Sequence, residues 1–550
     1  MLFKNIFPRG NIYFNNLTKK FFHCQHYKWI LIANSAIILL FIIVAFTLPG
    51  KAISCSTFQS SKNWSPNAEF HHPLPAKQGN VKFSQKLHDN SHPIVQFYLS
   101  SPKGERLTKM ESKAFGNVKN RSQNMIVIDE TRKYQIIDGF GASFNEAGMI
   151  CLNALERSKA DSVMKKLFDT NDGAGFSLMK SPIAACDFSS AGPWYSYNDT
   201  PGDTAMNHFT IKRDLGPNGL VNYIKWAQKF GRFAIHSTMD FPPDWMLVSL
   251  KKGEKHIRPE YYNALAKYYA LYILAYKSEG INIDYLSPLN EPDNLWYTNV
   301  TYSAIKDIIW NHLLPLFRKE VISTKIQLGE AVTRTEGLKK IPSVLDKDEF
   351  RQFISTITVH GYDWNRFDAI AELHKKYPDK PIWMSEVCYA QTSNIPPHGP
   401  KKVPVYDFSD GQFWGNMIMN DLKSGASGWI YWNMILDEQG GPWLVSEVHG
   451  NPENNAQHPI VIINRHTGEV SYTGLYFYLS HFSRFVRPGA FRIMVTGNTE
   501  KLNVAAFMNP DGKKVVVVIN NDNTTDVSIQ WNNCEMPCSF PAHSIATLVW

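Results

Sequence analysis

Two glutamates carry the chemistry legible in this chain. Glu291 stands in Leu289-Asn290-Glu291-Pro292 and Glu386 in Met384-Ser385-Glu386-Val387. Each closes a short apolar run, residues 283–289 in the first case and 381–384 in the second. Such runs read as buried strands. Proline lacks the N–H that a central strand needs, so the first strand is expected to end at Asn290-Glu291, with both side chains at its C-terminal rim. A carboxyl group there can protonate a leaving group. A second carboxyl facing it across one pocket gives the arrangement that glycoside hydrolysis uses. Glu386 follows Glu291 by 95 residues. Groups so distant in sequence face each other only if the strands close into a barrel. His360, in Val359-His360-Gly361-Tyr362, ends a run between them and can hydrogen-bond a carboxylate, keeping it ionised.

The elements that must position these residues follow a repeating pattern. Candidate strands end near Phe140, Pro182, Thr238, Leu289, Leu328, Val359, Met384 and Asn433, eight in all, with helical stretches between most of them. Tyr261, Leu265, Tyr268, Tyr272 and Ala275 recur at helical spacing, and residues 410–423 read as another helix. Eight strand-then-helix units over residues 134–472 predict a (β/α)8 barrel, whose active site lies at the C-terminal rim of the strands. A doubly wound open sheet is the alternative, because periodicity does not show closure. Residues 94–99 and 125–128 read as strands that precede any helix. Residues 502–508 and 514–520 read as strands joined by the turn Asn509-Pro510-Asp511-Gly512, and 527–531 and 545–550 follow. Residues 92–133 and 473–550 are therefore expected to form one β-sandwich with the barrel inserted between its two parts.

The formal net charge of +8 is partly a property of the N-terminus. Residues 1–28 carry Lys4, Arg9, Lys19, Lys20 and Lys28 and no acid, and the remainder is nearly balanced, which gives no basic stripe for nucleic acid. Residues 29–48 are uncharged and long enough to span a bilayer, with the basic segment before them favouring a cytoplasmic N-terminus. They predict a transmembrane helix or signal anchor, or else a cleaved signal peptide. Either way the rest of the chain is exported and membrane-anchored or secreted. Residues 49–91 read as a linker. Asn63, Asn120, Asn299 and Asn523 head glycan-acceptor triplets. Cys534 and Cys538 lie close enough in sequence for an extracellular disulfide, whereas Cys151, Cys186 and Cys388 read as buried thiols. No cysteine spacing suits a metal site, and no metal is expected. Asp138-Gly139-Phe140-Gly141 lacks the third glycine of a dinucleotide loop, so no nucleotide cofactor is expected either.

Residues 92–550 resemble glycoside hydrolase family 30. The resemblance rests on Ile137-Asp138-Gly139-Phe140-Gly141, Ala185-Cys186-Asp187-Phe188-Ser189 and Tyr195-Ser196-Tyr197-Asn198-Asp199-Thr200-Pro201. It continues through Asn290-Glu291-Pro292, Ser385-Glu386-Val387-Cys388, Trp432-Asn433, Gly440-Gly441-Pro442-Trp443 and His481-Phe482-Ser483-Arg484-Phe485. The glucosylceramidase branch is the nearest in look. The resemblance implies a (β/α)8 barrel fused to a β-sandwich, and a retaining double displacement without a cofactor. Glu386 matches the nucleophile and Glu291 the acid/base, with carboxyls about 5–5.5 Å apart. It further implies that Asn290 binds the sugar 2-hydroxyl, that Asp187 binds the far hydroxyls, that Trp432 forms a platform beneath the ring and that Tyr362 contacts the nucleophile.

Three departures concern the sugar pocket. Lys180 stands where glucosylceramidases have arginine, and the two are not equivalent in bidentate contacts. Asp240 stands where the family usually has a sugar-contacting tryptophan, unless Phe241 takes that place. An aspartate accepts hydroxyl bonds but does not stack. Gly441-Pro442 runs into Trp443 without the expected asparagine. The expected activity is hydrolysis of β-glucosides, with glucosylceramide or β-1,6-glucan as candidates. A β-xylosidase or other exo-glycosidase, and a non-catalytic carbohydrate-binding protein, are the alternatives. The expected partners are a carbohydrate or glycolipid substrate and a membrane.

Overall fold

The computed structural model describes residues 92–118, 124–189, 195–249, 255–292, 294, 300–389, 408–442, 457–497 and 500–550. The candidate span 29–48, the linker, the triplets at Asn63, Asn120 and Asn299, and Trp443 lie outside the described residues. Among the described residues no helix is long and apolar enough to cross a membrane.

Eight parallel strands close a barrel: Gly139–Ser143, Leu178–Pro182, Ala234–Thr238, Tyr285–Ser287, Lys325–Ala331, Ile354–His360, Ile382–Glu386 and Gly428–Asn433. The eighth pairs with the first through Gly428 and Gly139, which excludes the open sheet. These are the eight runs read from the sequence. The fourth is shorter than expected and ends at Ser287, because Pro288 already lacks a ladder N–H. Its extension is still held on both sides. Asn290 N–H donates to the Met239 carbonyl of the third strand's loop, and Glu291 N–H to the Glu330 carbonyl of the fifth strand.

Alternation along the strands fills the interior in layers. Leu178, Trp383 and Ile430 form an apolar plug, with Tyr285 and Ala234 packed on it. Gly428 is required there, since a Cβ would lie 2.7 Å from the Trp383 ring. Two residues further along the second strand the inward position is Lys180. The apolar plug thus gives way to a charged layer at the C-terminal rim.

Helices cover the barrel. Tyr262–Ser278 buries the predicted face of Leu265, Tyr268 and Tyr272, and Asp410–Lys423 spans the predicted range. The two chain ends interleave in one 11-stranded sheet. Ile94–Ser100 pairs with Ser544–Val549, and Met125–Ile136 lies between Phe491–Gly497 and Thr525–Trp531. Its core contains Val95, Phe97, Ile126, Ile128, Val516, Val518, Phe540 and Leu548, contributed by both ends. Gly512, at φ 86°, makes the turn between Leu502–Met508 and Lys514–Asn520.

The expected disulfide is not formed. Cys534 and Cys538 are both free and lie along one strand, Cys534–Phe540. Four residues of extended chain separate their backbones by about 13 Å, far beyond disulfide reach. Pro537 hid that strand from the sequence reading. It is tolerated because the neighbouring strand Gly116–Asn117 pairs only with Cys534 and Glu535.

Candidate active site

Three irregularities at the rim aim the side chains inward. The fifth strand gains a residue relative to the sixth between Leu328 and Ala331. The seventh slips against the sixth between Met384 and Glu386, and the eighth against the first between Tyr431 and Asn433. A bulge of this kind redirects the side chain that follows it. The three bulges present Glu330, Glu386 beside Ser385, and Trp432. The first depends on Gly329, at φ 144°, where a Cβ would lie 1.9 Å from the Thr358 carbonyl oxygen. Glu291 and Glu330 both sit at positive φ, 41° and 52°, a cost that active sites concentrate.

The result is one buried ionic cluster. Carboxylate oxygens of Glu291 and Glu386 and a ring nitrogen of His360 all lie within 4.8 Å of one another. Lys180 Nζ donates to Glu386 Oε2 at 2.7 Å, to Glu330 Oε2 at 2.7 Å and to Asn290 Oδ1 at 3.0 Å. A compact ammonium with three donors suits three acceptors at different angles, so lysine serves here where a planar guanidinium would need another arrangement. Tyr362 Oη donates to Glu386 Oε1 at 3.0 Å, and Asn294 Nδ2 donates to Glu291 Oε2 at 2.6 Å. His360 Nδ1 lies 2.9 Å from Glu291 Oε1, and its Nε2 lies 3.1 Å from Glu330 Oε2.

Burial alone would push the Glu386 carboxyl up. The Lys180 and His360 charges outweigh it and hold Glu386 below the usual range. Glu330 is held well below, again against burial, by Lys180 and His236. Burial would push His360 down, but Glu386 and the bonds to Glu291 and Glu330 hold it at about 10. Two stable anions thus face two stable cations.

Asp187 and Asp240 close another wall. One carboxylate oxygen of each lies within 4.8 Å of the other and of Cys186 Sγ. Burial, with the charges of Glu386 and Glu291, raises Asp187 to about 8. Asp240 is raised strongly by burial, with Lys180 opposing. Among the described residues, Asp187 Oδ1 and Asp240 Oδ1 have no hydrogen-bond partner. Asp240, not Phe241, is the residue brought beside Asp187. Both clusters are tight enough for a cation, but the partners of the Glu291–His360–Glu386 set are already protein donors. Trp432 packs edge-on against Phe188 and lies 5.5 Å from Lys180 Nζ.

All eight residues singled out from the sequence, Asp187, Asp240, Asn290, Glu291, His360, Tyr362, Glu386 and Trp432, lie at this rim. Glu330, His236, Ser385 and Asn294 were missed. The available signals were a lysine inside a buried strand, which demands a counter-charge, and a glycine before an acid at a strand end.

A family model described as the glycosyl hydrolase family 30 TIM-barrel domain matches residues 137–486. The chain belongs to glycoside hydrolase family 30. The family 30 β-sandwich domain matches residues 489–548. Among relatives, putative glucosylceramidase 4 of Caenorhabditis elegans is 26% identical over 82% of this chain and 88% of that protein. Endo-1,6-beta-D-glucanase BGN16.3 of Trichoderma harzianum is 26% identical over 85% and 95%. The crystal structure of SrfJ from Salmonella typhimurium shares the fold, with a TM-score of 0.75 and 23% identity over 83% and 99%. Family 30 membership makes the chain a glycoside hydrolase by descent, and the family implies retention.

The buried acids set a pH dependence of stability. Asp214 is enclosed by the Tyr197 and Tyr276 hydroxyls, and burial raises it to about 6 despite them. Asp187 and Asp214 keep their protons in the fold, while the unfolded chain releases them near pH 4. Their contribution is therefore full at low pH and is lost as pH rises through about 6 for Asp214 and about 8 for Asp187. His360 acts in the same direction. Glu330 and Glu386 oppose only below the ordinary carboxylate range. The melting temperature is expected to fall from pH 5 to pH 8, at about 1.4 kcal/mol per pH unit per proton. Asp214→Asn should flatten the part below about pH 6, and a wild-type melting temperature that rises over this range would contradict the assignment.

Proposed function

We infer that this family 30 hydrolase is a retaining β-glycosidase, with Glu386 as nucleophile and Glu291 as acid/base, acting on β-glucosides. The observation that carries the reading is the close approach of the two carboxylates, within 4.8 Å at their nearest oxygens. That spacing suits the direct attack of a retaining site, whose two carboxyls lie closer together than those of an inverting one. The charge on Glu386 agrees. Glu386 is held ionised by Lys180, with Tyr362 donating to its other oxygen. Glu291 accepts from Asn294 and faces His360.

The orphaned oxygens of Asp187 and Asp240 are suited to the hydroxyls of a neutral sugar, and Trp432 to its face. Relatives named as glucosylceramidase and as endo-1,6-β-glucanase point to glucosylceramide or β-1,6-glucan. Residues 29–48 would tether the enzyme to a membrane, with the barrel on the exported side.

The test uses the full chain in mild detergent and aryl β-glycosides of glucose, xylose, galactose and fucose. The β-glucoside is expected to be cleaved fastest, with the β-anomer appearing first by proton NMR. An α-anomer as first product would overturn retention. A faster xyloside would move the glycone assignment to the β-xylosidase reading. Inactivity on every glycoside and on β-1,6-glucan would overturn the activity.

A further inference from the structure

Glu330 has no part in the two-carboxylate reaction, yet it is the hub of the site. Its side chain is fully buried. Lys180 Nζ at 2.7 Å, Ser385 Oγ at 2.7 Å, His360 Nε2 at 3.1 Å and His236 Nε2 at 3.3 Å all converge on it. The backbone reaches this place only through the Gly329 bulge and a strained φ. A carboxylate can only accept, so the ring nitrogen it faces, His360 Nε2, carries a hydrogen. The other nitrogen, Nδ1, faces Glu291 Oε1 at 2.9 Å and Glu386 Oε1 at 3.6 Å. With the Glu330 carboxylate on one side and the Glu386 carboxylate within reach of the other, the ring is suited to be doubly protonated.

We propose that Glu330 is a positioning residue that holds His360 as an imidazolium between itself and Glu291, so that the site stays charge-balanced in both halves of the reaction. The inference rests on the acid/base and nucleophile assignments above. In the resting site Glu330 and Glu386 are balanced by Lys180 and His360, and Glu291 carries a proton. In the first half the anomeric carbon loses the leaving oxygen, which takes the Glu291 proton, and a Glu386 oxygen bonds that carbon. One anion disappears at Glu386 and one appears at Glu291. In the second half water gives its proton to Glu291 and its oxygen to the anomeric carbon, and Glu386 leaves as carboxylate. Summed over these five groups both states are neutral, provided Glu330 stays ionised. Asp187 and Asp240, the other acids of the site among the described residues, keep their protons through burial. Tyr362 faces Glu386, and His236 faces Glu330. Removing the Glu330 charge leaves the site one positive charge in excess, and Glu291 then loses its proton too readily.

The experiment is the pH profile of kcat/KM for wild type, Glu330→Gln and Glu330→Asp, on an alkyl β-glucoside and on a dinitrophenyl β-glucoside. For Glu330→Gln the basic limb is expected to move down by about one pH unit. The alkyl substrate should lose about 100-fold and the dinitrophenyl substrate less than about tenfold, because the good leaving group needs little acid help. Glu330→Asp should return the limb toward wild type. Equal losses on both substrates with an unmoved limb would overturn the proposal. Glu291→Gln, run alongside, separates the two readings: a basic limb that survives in it breaks the acid/base assignment itself. A measurement on wild type needs no variant to fold. In 15N-histidine NMR one buried ring should remain doubly protonated past about pH 8, and the absence of any such ring would overturn the proposal.

Discussion

Glu386→Ala is expected to reduce turnover by at least about 10⁴-fold while leaving substrate binding within a few-fold. The nucleophile makes a covalent bond in the transition state and only a weak contact before it, so its loss falls on kcat and not on binding. The surrounding cluster makes the effect specific. Lys180 and Tyr362 donate to the two Glu386 oxygens, and both would survive the substitution, Lys180 still held by Glu330 and Asn290. Azide should enter the space left by the carboxylate and restore part of the rate on an activated glycoside. Because azide then attacks from the nucleophile's side with no second displacement, the product should be the α-glycosyl azide. Turnover that persists in Glu386→Ala, or rescue that gives the β-azide, would sink the assignment.

Glu291→Gln carries the second-largest effect, and its size should depend on the leaving group. The acid supplies a proton to the departing oxygen, so an alkyl or sphingosine-type alcohol needs it and a dinitrophenolate does not. About 10³-fold loss is expected on the alkyl glucoside. The first step on the dinitrophenyl glucoside should change by less than about tenfold, giving a burst followed by slow release as the glycosyl-enzyme waits for a base. With Glu291→Ala, azide attacks the glycosyl-enzyme from the face opposite Glu386 and should give the β-glycosyl azide. Equal losses on both substrates, or absence of a burst, would count against the acid/base role. The opposite azide anomers from the two positions distinguish the two glutamates in one product analysis.

Much of this was legible in the chain. Two apolar runs ending in glutamate, eight strand ends at barrel spacing and the Asn-Glu-Pro stop are local patterns. They depend on backbone hydrogen bonding and on alternation, which a sequence displays directly. The fourth strand shows the limit of such local logic. Its ladder stops at Ser287, yet Asn290 and Glu291 are delivered as expected because neighbouring carbonyls at Met239 and Glu330 hold the extension. The disulfide expectation failed for a similar reason. Nearness in sequence is not nearness in space when both cysteines lie along one extended strand.

The sequence by itself determined the eight strand runs, the strands before and after them and the two glutamates that end apolar runs, since each rests on periodicity or on a stop residue, while closure of the barrel came from the pairing of its eighth strand with its first. Only the tertiary structure decided how those carboxyls are charged. Lys180 and Glu330 lie 150 residues apart, and Glu330 enters the site through a bulge opposite Thr358. Asp240 finds Asp187 from another strand. A charge in a buried site is set by what lies within a few ångströms in a low-dielectric interior. Those neighbours come from seven different strands or the loops that follow them, and only barrel closure brings them together.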